Sequence, residues 1–275
     1  MAPCIVVDDY RGGWRNRGLI LAETAGRHMS EDTAATGIHI FFQYLSSVVD
    51  KTTYELLSPD DRLRLVRIRH ERRRRQFVAG RALLAAALAD LFGPAARQWR
   101  LEAQTGPLRL EGDQAPQISL THSHEIVACA VAPVPVGLDV EYCRDRDFAA
   151  LVEYVCSETE RRAYGTLPAG ERKAWFYRLW TTKEATYKLL GGNPFPEVWS
   201  TEREWLAYPE PSMFRVRDTV LQQASLELPE GFVGTIVIGT ERPIRVSKKE
   251  NPHEYSCGFR VRNLSYYLDT TRQLP

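Results

Sequence analysis

The chain has 275 residues, enough for one large domain or two ordinary ones. Its 44% hydrophobic and 26% charged residues describe a folded globular protein, and a net charge of +1 argues against general affinity for nucleic acid. Five cysteines (4, 129, 143, 156 and 257) are odd in number and form no CxxC pair, which points to free thiols in a reducing cytoplasm.

Residues 1–36 are rich in Gly, Arg, Thr and Ala, lack the ordered regions of a signal peptide, and read as an N-terminal extension. Ile38–Leu45 reads as a buried strand. Ser58-Pro59-Asp60-Asp61 is a strong helix start, with Ser58 as N-cap and acids in the first turn. Seven arginines (67, 69, 72, 73, 74, 75 and 81) crowd the next stretch, and a local excess of this kind predicts a phosphate-rich ligand. Arg74 and Arg81, seven apart, can share a helix face and serve one phosphate cluster.

Phe77–Phe92 is an Ala- and Leu-rich helix ended by Gly93-Pro94. No apolar run is expected to approach a membrane span of about 20 residues. Gln117–Leu120 and Ile126–Val131 read as strands flanking a short bend, Thr121-His122-Ser123-His124. There Thr121 and Ser123 hydroxyls beside the His122 imidazole suit a phosphate oxygen, although a lone histidine between strands is more often structural.

The next strand carries Gly137-Leu138-Asp139-Val140-Glu141, and its two-residue repeat projects Asp139 and Glu141 from one face. Ser157 and Glu160 form a capping box for a short helix. Glu171–Leu190 is the longest helical pattern, closed by Gly191-Gly192, and it places Glu184 and Lys188 one turn apart. Each acid alone reads as an ordinary solvated residue, and Glu184–Lys188 as a helix-stabilising pair. Trp180 on the same stripe makes burial of that pair plausible, and buried charges need partners. Three hard carboxylates with no His or Cys cluster suit Mg²⁺ better than zinc. Gly231–Thr240 and Tyr255–Leu268 read as late strands. The element order fits an α/β (α+β) chain of two halves, 37–134 and 135–275, meeting near residue 135.

Together these residues resemble the 4′-phosphopantetheinyl transferases, in particular their larger, surfactin-synthetase-type class. The likeness rests on Gly137-Leu138-Asp139-Val140-Glu141, on Trp180-Thr181-Thr182-Lys183-Glu184 continuing to Lys188, on Ser119–Ser123, and on Arg74–Arg81. It implies two α/β halves related by a pseudo-twofold, with coenzyme A in the cleft between them. It implies transfer of the phosphopantetheine arm to a serine of an apo acyl- or peptidyl-carrier protein, with release of 3′,5′-ADP, by a monomer. Under that resemblance Asp139, Glu141 and Glu184 hold Mg²⁺, and Glu184 competes for a second role as the base, with Lys188 beside it. His122 contacts the 3′-phosphate, with Thr121, Arg74 and Arg81 as further contacts. The family's Gly-Lys-Pro lysine is missing from Thr105-Gly106-Pro107-Leu108-Arg109, which leaves Arg109 as a candidate substitute. Two other readings use the same residues: a Mg²⁺-dependent nucleotide phosphohydrolase, and an arginine-rich surface for nucleic acid or acidic partners.

Overall fold

A computed structural model describes residues 37–45, 54, 57–102, 107–191, 212–216, 219–226, 228–239, 245–251 and 262–269. The expected extension at 1–36 lies outside the described residues. Along the chain run β1 (Gly37–Tyr44), α1 (Pro59–Arg67), α2 (Glu71–Phe92), a 3₁₀ turn (Gly93–Gln98), β2 (Arg100–Glu102), β3 (Arg109–Glu111), β4 (Gln117–Ser123), β5 (Ile126–Ala132) and β6 (Val136–Tyr142). Then come α3 (Phe148–Val155), α4 (Glu158–Thr166), α5 (Ala169–Leu189), β7 (Ser212–Val216), β8 (Thr219–Ser225), β9 (Phe232–Gly239), β10 (Arg245–Asn251) and β11 (Arg262–Asp269). The architecture is α+β.

Strands join in the order β10-β11-β1-β5-β4 in one sheet and β6-β9-β8-β7 in another, with β2 and β3 as a separate ribbon. Because β10 and β11 pair into the first sheet, that sheet draws strands from both sides of residue 135.

Alternation along the strands sets the layers. One face of the first sheet (Phe41, Ile118, Val127, Cys129, Val131) packs on Leu83, Leu84, Ala87, Leu88 and Leu91 of α2. Its other face (Ile38, Ile40, Phe42, Ala128, Ala130) packs on Leu138, Val140, Ile236 and Ile238 of the second sheet. The far side of the second sheet, through Leu221 and Val237, meets Phe176, Tyr177, Leu179 and Ala185 of α5. The order is therefore helix, sheet, sheet, helix. Since Leu138 and Val140 face the inner core, Gly137, Asp139 and Glu141 face α5.

Two glycines set how closely the helices approach. A Cβ on Gly137 would lie 1.8 Å from the Ala185 carbonyl oxygen, so α5 crosses β6 where only glycine fits. A Cβ on Gly80 would meet a Leu120 methyl at 3.0 Å, which marks the crossing of α2 over β4.

The edges of the two sheets, β4 and β6, are joined by side chains. Leu138 N donates to Ser119 Oγ (2.9 Å), Val140 N to Thr121 Oγ1 (3.3 Å) and Tyr142 N to Ser123 Oγ (3.0 Å). Three hydroxyls at every second residue thus satisfy the outward amides of an edge strand, groups that otherwise invite pairing with another chain.

Several expectations are corrected. Helix α2 begins at Glu71, six residues before Phe77, because the arginine run is itself a good helix former. The segment Glu71–Gln98 is long and apolar enough by composition to cross a membrane, yet half of that window is buried, as suits a helix packed in a core. His122 lies inside β4, and the bend falls at His124, whose φ is 49°. Elements α3, β2, β3, β7, β8 and β10 were not anticipated. The capping box at Ser157 and Glu160 forms as expected.

Candidate functional site

Asp139 is 5% exposed. Its Oδ1 accepts from Lys188 Nζ at 2.7 Å and from Thr121 Oγ1 at 2.9 Å. Its Oδ2 is buried without a hydrogen-bond partner. Lys188 also donates to the Leu138 carbonyl at 2.9 Å. The helical spacing pairs Lys188 with Glu184; the structure pairs its ammonium with Asp139, because the approach at Gly137 brings β6 under the last turns of α5.

Glu141 Oε2 accepts from Ser123 Oγ at 2.7 Å. Burial, then the Asp139 charge, raises the Glu141 carboxyl above its ordinary pKa; the Ser123 bond, Lys188 and Arg146 oppose the shift. Glu184, half-buried on α5, is raised by burial and then by Asp139, with Lys188 opposing and Glu141 adding. Of the three carboxylates expected to converge, Glu141 and Glu184 are thus both raised by the Asp139 charge and both opposed by Lys188. Among the described residues no group of three His, Cys, Asp or Glu side chains stands ready as a metal cage.

On the other side of the β4–β6 seam, Arg73 Nη1 lies 2.7 Å from His122 Nε2. Burial, then the Arg73 charge, lowers His122 to about 4, and Lys188 adds to the shift. His122 is thus neutral near pH 7, which fits a ring nitrogen accepting from a guanidinium. Gln76 donates to the His124 carbonyl at 3.0 Å, holding the end of α2 against the β4–β5 turn.

Arg74 and Arg81 do share a helical face, but that face is turned to α1. Arg81 Nε is 2.8 Å from Asp61 Oδ1 in a pair where both side chains are almost wholly buried. Arg74 Nη1 donates to the carbonyls of Leu65 (3.1 Å) and Ile68 (3.5 Å). Arg81 Nε and Arg74 Nη1 are thus turned to α1 and its C-terminal end. Thr121 likewise gives its single hydroxyl proton to Asp139. Arg73, not singled out in the sequence, takes the place beside His122. The stripe Gly80, Leu83, Ala87, Leu91, extended backwards through Gln76, leads to Arg73 and could have found it. Arg109, offered for the missing lysine, reaches the end of α5, where its Nη2 would lie 2.7 Å from a Cβ on Gly191.

Residues 135–230 match the sequence profile described as the 4′-phosphopantetheinyl transferase superfamily. The chain is 30% identical to the 4′-phosphopantetheinyl transferase HetI of Nostoc sp., over 49% of this chain and 60% of that protein. It is 38% identical to the 4′-phosphopantetheinyl transferase psf-1 of Bacillus pumilus, over 26% of this chain and 31% of the relative. To the 4′-phosphopantetheinyl transferase AcpT of Salmonella typhimurium it is 30% identical, over 46% of this chain and 64% of the relative. Each alignment spans less than two thirds of the relative. The matched stretch, residues 135–230, carries Asp139, Glu141, Glu184 and Lys188.

Proposed function

We propose that the protein transfers the 4′-phosphopantetheine arm of coenzyme A to a serine hydroxyl of an apo acyl- or peptidyl-carrier protein, releasing 3′,5′-ADP. The observation that carries this reading is the contact of Asp139 on β6 with Lys188 on α5, which joins the two acidic elements on which the resemblance rests, both within the matched stretch 135–230. The serine oxygen bonds to the phosphorus of the arm as the phosphoanhydride bond to 3′,5′-ADP breaks, and the serine proton goes to a base. Glu184, whose carboxyl burial and then Asp139 raise above its ordinary pKa, is suited to take that proton.

The residues fit a hard divalent cation. Asp139 Oδ2 is buried and hydrogen-bonded to nothing, and Glu141 and Glu184 bring further carboxylate charge that a cation would compensate. Mg²⁺ held by Asp139, Glu141 and Glu184 would neutralise charge on the pyrophosphate and its leaving group. Lys188 fixes the orientation of Asp139 and keeps positive charge beside the phosphates. His122 and Arg73 form a separate anion subsite suited to the 3′-phosphate. We read the chain as two α/β halves, α2 on the first sheet and α5 on the second, related by a pseudo-twofold with the cleft along the β4–β6 seam.

The test is incubation with coenzyme A, Mg²⁺ and apo carrier proteins of the acyl and peptidyl types, with intact mass read on the carrier. A mass gain of one phosphopantetheine arm is expected. Carriers of every type left unmodified would end the proposal.

A further inference from the structure

We infer that Thr121 is a positioning residue that selects which oxygen of Asp139 faces a cation, and that Ser123 does the same for Glu141. This rests on the cation assignment made above. Each hydroxyl of the seam accepts from a β6 amide, Thr121 from Val140 and Ser123 from Tyr142. A hydroxyl has one proton and two lone pairs, and with one lone pair engaged by the amide the proton remains to be aimed. Thr121 aims it at Asp139 Oδ1 at 2.9 Å, and Ser123 at Glu141 Oε2 at 2.7 Å.

On these two rungs, then, the amide of one residue fixes a hydroxyl, and the hydroxyl fixes the carboxylate of the residue before it. The carboxylate cannot rotate without breaking a bond whose other end is tied to the backbone. For Asp139 the result is asymmetric. Oδ1 is occupied by Thr121 and Lys188, while Oδ2 is left buried with no hydrogen-bond partner. A buried carboxylate oxygen without a donor is costly unless it has another ligand. The seam that joins the two sheets is in this way also the device that presents Oδ2.

Ser119 supplies an internal control. It accepts from Leu138 N at 2.9 Å in the same ladder, but the residue before Leu138 is Gly137, which has no carboxylate. Removing the Ser119 hydroxyl therefore breaks a rung of the seam without freeing an acid. Outer contacts of this kind change metal affinity by about 10- to 100-fold when removed.

The test is direct Mn²⁺ binding, read from the free-ion electron paramagnetic resonance signal with no coenzyme A or carrier present, for wild type, Thr121→Val, Thr121→Ser and Ser119→Ala. Thr121→Val should weaken Mn²⁺ at least about tenfold, and Thr121→Ser and Ser119→Ala should stay within about threefold of wild type. Thr121→Val and Ser119→Ala should both lower the thermal midpoint, the first at least as much as the second, since it removes the donor to Asp139 as well as the partner of one amide. The inference is overturned if Thr121→Val binds like wild type, if Ser119→Ala weakens binding as much, or if Thr121→Ser fails to restore it. It also falls, together with the cation assignment, if wild type binds no Mn²⁺. Carrier modification, assayed in parallel, decides the transferase reading separately: a wild type that binds Mn²⁺ but modifies no carrier leaves the positioning role standing.

Discussion

Lys188 Nζ lies 2.7 Å from Asp139 Oδ1, across 49 residues of chain and between α5 and β6. The pair is asymmetric in exposure, with 21% of the Lys188 side chain and 7% of the Asp139 side chain open to solvent. Removing the cation strands a buried carboxylate next to Glu141 and Glu184. Lys188→Met is expected to lower stability by about 2 kcal/mol, less than a fully buried pair because Lys188 is partly solvated, and to abolish carrier modification. Denaturant unfolding and the mass assay check the two effects; unchanged stability would show that Asp139 finds another partner.

Gly137→Ala separates close packing from chemistry. The added methyl would lie 1.8 Å from the Ala185 carbonyl oxygen, and α5 backbone cannot yield as a flexible side chain would. We expect a loss of at least about 3 kcal/mol, or no folded product, by circular dichroism and thermal unfolding. A stable, active Gly137→Ala protein would mean that α5 sits farther from β6 than described.

Arg73 and Arg74 are adjacent in sequence and point to different partners. Arg73→Ala should raise the KM for coenzyme A about tenfold by removing a charge-assisted contact, with little change in kcat. Arg74→Ala should leave that KM within about twofold and instead cost about 1 kcal/mol of stability, since its bonds go to α1 carbonyls. The opposite pattern would return the anion role to Arg74.

What was legible in the sequence divides along physical lines. Asp139, Glu141, Glu184 and Lys188 were readable because strand and helix periods place them on defined faces, and because Gly137 marks a close approach. The spacing of Arg74 and Arg81 was also correct, yet spacing says which residues share a face, never what the face meets; here it meets Asp61 and two carbonyls of α1. The seam was hidden for a related reason. Ser119, Thr121 and Ser123 are 19 residues from their amide partners, and no local periodicity pairs β4 with β6. The return of β10 and β11 to the first sheet is another long-range pairing that local pattern does not encode.

His122 gives the pH prediction. Its folded value is lowered to about 4, from 6.5, by burial and by Arg73. Between those limits the unfolded chain binds a proton that the folded chain refuses, so stability falls as pH drops from 6.5 to 4. The contribution is at most about 3 kcal/mol. His122→Gln should flatten this part of the stability–pH curve, and coenzyme A should also reduce its slope by placing an anion beside the ring. A curve unchanged by His122→Gln would assign the acid sensitivity elsewhere.

Lys183, between the motif tryptophan and Glu184, is fully buried and bonded to Glu160 Oε2 at 2.5 Å and to the Val155 carbonyl at 2.8 Å. Glu160 Oε2 also accepts from Ser157 N in the capping box. One carboxylate oxygen therefore ties α5 to the start of α4, while the Lys183 ammonium holds the last carbonyl of α3. This is a structural duty for a motif lysine one residue from the proposed base. Lys183→Met is expected to lose about 3 to 5 kcal/mol, because it leaves Glu160 buried and uncompensated. Adding Glu160→Gln, which keeps a capping acceptor without the charge, should recover a large part of that loss. If the double variant is no more stable than Lys183→Met alone, the cost lies in the Val155 contact and the packing of α3 rather than in the stranded charge.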